Sequence, residues 1–308
     1  MISYLRLPPH WRSVSLRRSR RQRVTGLTLI EMIVSLVLVG LLSSIVAVFL
    51  QVPLQSYFVT RQRLDLVDGI ELSMRHMDQE LRQALPNSVR STVVGGVTYI
   101  EFLATRGSGR YRALAGGPAG ACPGGNDLNT AANDNCFTTI GPLNTSSAIR
   151  PGFDYVVLGQ SVPVADAYSG GTGDTPNKSL ITAFTLALGT APRVESRLRM
   201  NNATLAGVPS ELVYIVSGPV TYACSGTAGQ LIRYSGYPIT ALQATPPVGA
   251  TQSVIAANLL VCNARYLEAR NVLAQGIVSV DITLSNNVPG QPAEAVNFVV
   301  HAPVSKTP

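Results

Sequence analysis

Apolar side chains run almost unbroken from Leu27 to Leu50, 24 positions in which Glu31 is the only ionisable group. At about 1.5 Å per residue such a helix is roughly 36 Å long, enough to cross a hydrocarbon core of about 30 Å with some tilt. The pattern predicts one transmembrane helix, residues 27–52. Beyond it the apolar positions thin out to Leu54, Phe58, Leu64, Val67, Ile70, Met74, Met77, Leu81 and Ala84, spaced mostly three and four apart, which predicts an amphipathic stem helix over 53–86. Glu71 with Arg75, and Asp78 with Arg82, stand four apart on its wet side. Pro53 lacks an amide proton and crowds the carbonyl of Phe49, so a kink is expected there, while Gly69 weakens the helix and Pro86 closes it.

After Pro86 the period changes from helical to alternating. Candidate strands are 97–104, 155–158, 180–188, 212–216, 220–224, 231–234, 261–267, 277–284 and 295–300, joined by Gly, Pro, Asn and Ser. The expected class is α+β, with antiparallel sheet packed on the stem helix in a β-rich domain of residues 87–308. The stretch from Arg106 to Arg150 is rich in Gly, Asn and Thr and predicts a long variable loop.

Charge is distributed unevenly. Seven arginines (Arg6, Arg12, Arg17, Arg18, Arg20, Arg21, Arg23) precede residue 27 without a single acid, which leaves 17 basic residues against 17 acidic ones in the remainder. The net charge of +7 therefore belongs to the tail, and nucleic acid is not an expected partner. By the positive-inside rule that tail stays cytoplasmic and everything after residue 50 lies across the membrane, in the periplasm of a bacterial cell. A secretory signal would have a shorter apolar core and a small-x-small cleavage site. The twin-arginine pattern at Ser19-Arg20-Arg21 is spoiled by Arg23.

Four cysteines in an oxidising compartment suggest two disulfides, with three pairings open. The favoured one joins Cys122 to Cys136, pinning the long loop, and Cys224 to Cys262, linking two predicted strands; in a chain-entropy picture these contribute roughly 3 and 4 kcal/mol. A metal site is disfavoured because there is no CxxC and only His10, His76 and His301 supply imidazole. The glycines of 169–175 lack the lysine and helix start of a phosphate loop and predict a turn. No GxSxG-like setting or other catalytic constellation is present, so neither enzymatic activity nor a cofactor is expected.

The junction Thr25-Gly26-Leu27-Thr28-Leu29-Ile30-Glu31, after a basic leader and before a long apolar helix, resembles the signature of type IV prepilins. The resemblance implies that prepilin peptidase removes residues 1–26 by cutting after Gly26, that the new N-terminus at Leu27 is methylated, and that Glu31, fifth in the mature chain, sets subunit registry. It implies as the partner of Glu31 the α-amino group of an adjoining subunit. A pilin fold follows from the same resemblance. Residues 79–90, 100–112 and 220–237 resemble minor pilins of mannose-sensitive haemagglutinin (MSHA) pilus biogenesis, related to J-type pseudopilins of type II secretion. That likeness implies a single-pass inner-membrane subunit that primes or caps a pilus. Its partners would be prepilin peptidase, major and minor pilins and the inner-membrane assembly machinery.

Overall fold

A computed structural model describes residues 26, 28–129, 134–159, 165–189, 194–201, 211–268, 276–286 and 294–304. The arginine cluster and Leu27 lie outside the described residues. The chain divides into two compact units, Met1–Gln62 and Arg63–Pro308, and helix α1 (Leu29–Arg82) contributes residues to both.

In the first unit, Leu29–Gln51 is 23 residues long, apolar enough to cross a membrane, and has no residue buried by protein. Leu29, Phe49 and the large side chains between them all stand exposed. Ser35 and Ser44 donate their hydroxyls to the carbonyls of Met32 (2.9 Å) and Leu41 (2.7 Å), so neither presents an unsatisfied polar group to lipid. Pro53, the expected kink, lies within α1, whose helical assignment runs on either side of it.

The second unit combines the stem part of α1 with β1 (Arg90–Val94), β2 (Val97–Arg110), β3 (Cys136–Thr138), β4 (Asn144–Thr145), β5 (Tyr155–Leu158), a short α2 (Ala165–Tyr168), β6 (Lys178–Leu188), β7 (Glu195–Met200), β8 (Leu212–Ser225), β9 (Gln230–Ser235), β10 (Thr251–Ala256), β11 (Leu259–Leu267), β12 (Gly276–Asn286) and β13 (Glu294–Val304). Every strand pair is antiparallel. The larger sheet follows the path β1-β2-β8-β5-β6-β7-β3, with β9 also on β8, β10 on β9 and β4 on β2; the smaller is β11-β12-β13. This is an α+β architecture.

Ile70, Met74, Met77 and Leu81 of the stem are buried in one core with Ile100, Phe102, Val220 and Tyr222 of the larger sheet and Cys262, Val278, Val280 and Ile282 of the smaller. The stem stripe is therefore core from Ile70 onward. Leu64, expected on the same stripe, is 51% exposed, because the protein packs only against the later turns. The side chains of Leu54 and Phe58 lie outside the described residues. The expected ion pairs form on the wet side, Arg75 to Glu71 at 2.5 Å and Arg82 to Asp78 at 2.8 Å.

Four sequence expectations are corrected. The helix ends at Arg82 instead of running to Pro86, because the next residues pair with β2: Leu85 donates its amide to Leu103 (2.8 Å) and Thr105 donates to the Gln83 carbonyl (3.3 Å). The strands expected at 212–216 and 220–224 are one strand, β8. Ser217-Gly218-Pro219 falls in the interval where its partner changes from β5 to β9, while β2 continues along the other edge with register shifts beside Thr105. A proline is tolerated at such an irregularity, and the Ser217 hydroxyl donates to the Ala104 carbonyl there (3.2 Å). The 106–150 segment is not one long loop, since it holds the end of β2, β3 and β4, and it buries Tyr111, Leu128, Phe137 and Leu143 in a second core. β1, β7 and β10 stand where no strand was expected.

A polar clamp fastens the stem. Arg233 of β9 donates to both carboxylate oxygens of Glu80, at 2.9 and 2.7 Å, and the Tyr222 hydroxyl donates to the same carboxylate at 2.7 Å. Burial alone would raise the Glu80 carboxyl, but the hydrogen bonds from Arg233 and Tyr222 outweigh it and leave it below its ordinary 4.5. The stability this contact adds is thus fully present above about pH 4.5 and is lost as the pH falls through the lower folded value. Replacing Glu80 by Gln should cost about 2–3 kcal/mol at neutral pH. It should also flatten the acid side of a plot of urea midpoint against pH, measured on the detergent-solubilised chain.

Candidate functional site

The residues singled out by the N-terminal pattern lie around the start of α1. Gly26 is exposed and non-helical, and among the described residues nothing stands within 4 Å of where a Cβ would sit. Thr28 is exposed and outside the helix, which begins at Leu29. The Thr28 carbonyl accepts from the amides of Glu31 (3.0 Å) and Met32 (3.1 Å), and its hydroxyl accepts from the Glu31 amide at 3.4 Å. Thr28 is thus the N-cap, and Glu31 is the third helical residue, in the first turn, where the helix dipole favours a carboxylate. Glu31 is solvent-exposed in the isolated chain. Sequence reasoning passed over Thr28, although the spacing Thr-x-x-Glu ahead of an apolar run is itself a helix-start signal.

Residues 21–47 match the family described as Prokaryotic N-terminal methylation motif. The chain carries a type IV prepilin-like methylation motif. Such a motif indicates a type IV pilin-like protein, and it covers Gly26, Leu27 and Glu31 together with most of the apolar run. No curated protein and no solved structure matches the chain.

The structure brings the cysteines together in two pairs. Cys122 is bonded to Cys136 with Cα atoms 5.6 Å apart, and Cys224 to Cys262 with Cα atoms 5.5 Å apart. The first staples the segment between β2 and β3, where the Asn126 side chain also donates to the carbonyls of Gly116 (2.8 Å) and Pro118 (2.7 Å) and accepts from the Cys122 amide (3.1 Å). Arg112 is paired there with Glu195 of β7. The second disulfide ties β8 of the larger sheet to β11 of the smaller. His76 and His301 are both exposed, one on α1 and the other on β13.

Among the described residues four charged side chains that sequence reading did not foresee are buried, Glu101, Asp154, Lys178 and Glu195, and two of them anchor loops. Glu101 of β2 is fully buried and takes an ion pair from Arg90 of β1 at 2.5 Å, and the Arg90 guanidinium lies 3.7 Å over the Tyr168 ring. Arg90 also donates to the carbonyls of Thr240 (2.9 Å) and Ala241 (2.6 Å). Burial lifts the Glu101 carboxyl above its ordinary range despite Arg90 beside it. Lys178, at the head of β6, is also fully buried and donates to the carbonyls of Ala167 (3.1 Å), Ser169 (3.1 Å) and Gly171 (2.5 Å). Burial pulls its ammonium down to about 8, against the pull of Asp174. The 169–175 glycine stretch is the expected turn, and its carbonyls serve to seat this lysine. Both groups are internal fasteners with every partner supplied by the chain, so the chemistry open to an outside partner lies in the N-terminal helix and on the exposed surface.

Proposed function

We propose that the chain is a minor pilin of the type IV pilus class, of MSHA type, that takes part in pilus assembly in a priming or tip complex. The single observation that carries the reading is the coincidence of the methylation motif with a lipid-ready helix that starts just past an exposed Gly26 and holds Glu31 in its first turn. On this reading prepilin peptidase cuts between Gly26 and Leu27. The arginine-rich leader stays on the cytoplasmic side, and the unit from Arg63 onward enters the periplasm. Removing seven positive charges frees the helix end to leave the bilayer and pack among other pilins, driven by the inner-membrane assembly machinery. An unpaired carboxylate is tolerable near the head groups but costly in a dry bundle of helices. Glu31 therefore favours the register in which it meets a neighbour's α-amino group. The role is structural, without a cofactor or a catalysed reaction.

Intact-mass analysis of the membrane-extracted protein should find Leu27 as the N-terminal residue, one methyl group heavier than the unmodified amine. An intact leader would sink the pilin reading. Glu31→Ala should still be processed but be missing from sheared pili, and its normal incorporation would remove Glu31 from registry.

A second reading, a tip adhesin, draws on the exposed apolar side chains Leu114 (79%) and Phe153 (69%) in and beside the stapled segment. Deleting 106–150 would remove buried core, so substitution is the sharper test. Pili that form normally but no longer adhere when Leu114 and Phe153 are both serine support adhesion, whereas unchanged adherence counts against it.

A further inference from the structure

An edge strand offers a row of unpaired amides and carbonyls, which natural sheets protect by shortness, charge or irregularity. Most edges of the described strands are protected in one of those ways. β3 and β4 are three and two residues long, β1 carries Arg90, and β11 carries Arg265 and breaks register between Leu259 and Val261. Two edges are bare. β13 holds eleven consecutive partners on β12 without a shift, pairs with no other described strand, and has no Asp, Glu, Lys or Arg after Glu294. β10 pairs with β9 alone, regularly from Thr251 to Val254, and its residues TQSVIA contain none of these four types. Both edges place an exposed valine near their middle, Val299 of β13 at 58% and Val254 of β10 at 57%.

We propose that the β13 edge of one copy takes the β10 edge of a second copy as an added strand, joining copies of this chain head to tail. Pro303 lies within β13 opposite Ile277, and a proline is admitted where its missing N–H faces the open edge. Backbone groups alternate along a strand, so Val299 and His301 turn theirs the same way. On the stem side this edge borders an open groove of about 480 Å³, lined by Met74, Phe298 and Val300 and by the ion pairs Glu71–Arg75 and Asp78–Arg82. Those charges are already matched within the helix, so the groove favours an uncharged strand, and β10 is one. Pairing β13 with β13 about a two-fold axis suits two anchors in one membrane only if that axis stands along the membrane normal. A contact between different edges repeats with every anchor pointing one way. That choice of edge rests on the membrane anchoring of the pilin reading; the bareness of the two edges does not.

The test uses the full-length chain in detergent at about 50 μM, a level suited to the weak contact that one short strand pair makes. Light scattering should show dimers and longer oligomers. Val299→Pro, which removes an outward N–H, should weaken that association about tenfold or more, with both disulfides checked on a non-reducing gel as the folding control. Val299→Cys and Val254→Cys copies, made separately, should be joined by a bismaleimide when mixed and not when either is treated alone. A wild-type chain that stays single, a Val299→Pro variant that associates as before, a mixture that gives no crosslink, or Val299→Cys copies that crosslink among themselves each overturn the proposal. None of these results bears on leader removal after Gly26, which tests the pilin reading separately.

Discussion

The stem's apolar stripe cannot be left wet, and most of the second unit is arranged around that constraint. Ile70, Met74, Met77 and Leu81 present about three turns of helix that need cover on more than one side. They receive it from the larger sheet through Ile100, Phe102 and Tyr222, and from the smaller sheet through Val278, Val280 and Ile282. The two sheets are held at that helix by the Cys224–Cys262 bond, and the helix is held in register by Glu80 reaching Arg233 and Tyr222. Packing supplies the driving force; the carboxylate clamp selects one rotation and depth among those that would bury similar apolar area.

The first unit obeys the opposite rule. Among the described residues nothing covers its side chains between Leu29 and Gln51, a surface long and apolar enough to cross a membrane. Serine hydroxyls turned back onto the helix, and a threonine cap at its start, remove the polar groups that an apolar solvent would penalise. Glu31 is the exception. Its carboxylate sits in the turn where the helix dipole helps most, and the residue remains exposed.

The larger sheet shows how an irregularity serves the architecture. β8 gives its early residues to β5 and its later ones to β9, with Ser217-Gly218-Pro219 between, so that one strand reaches both the stem-helix core and the core of the stapled segment. Below the junction lie Val213 and Ile215 with the disulfide-stapled segment; above it lie Val220 and Tyr222 with the stem helix. The buried Arg90–Glu101 pair and Lys178 do related work on loops. Each holds backbone carbonyls of a neighbouring segment, Thr240 and Ala241 in one case and Ala167, Ser169 and Gly171 in the other, where no ladder could.

Local pattern alone determined the apolar span, the lone Glu31, the stem stripe from Ile70 to Leu81 and the alternation of most strands. Each of these depends on residues within a few positions of one another. The cysteine pairing favoured from spacing and compartment is also the pairing in the structure; Cys224 and Cys262 lie on strands the pattern placed, whereas Cys136 lies on β3, which it did not. Only the tertiary structure decided that Leu64 stays wet, that α1 stops at Arg82, that Ser-Gly-Pro is crossed by a strand instead of ending one, and that Glu101 and Lys178 are buried. The deciding groups lie beyond the few positions that a local period spans. β2 takes the backbone after Arg82 and bridges the Ser-Gly-Pro junction, Arg90 and Tyr168 enclose Glu101, and a turn ahead of β6 folds its carbonyls onto Lys178. Hydrogen-bond partners and cover of that kind are supplied by folding itself, which no local period can encode.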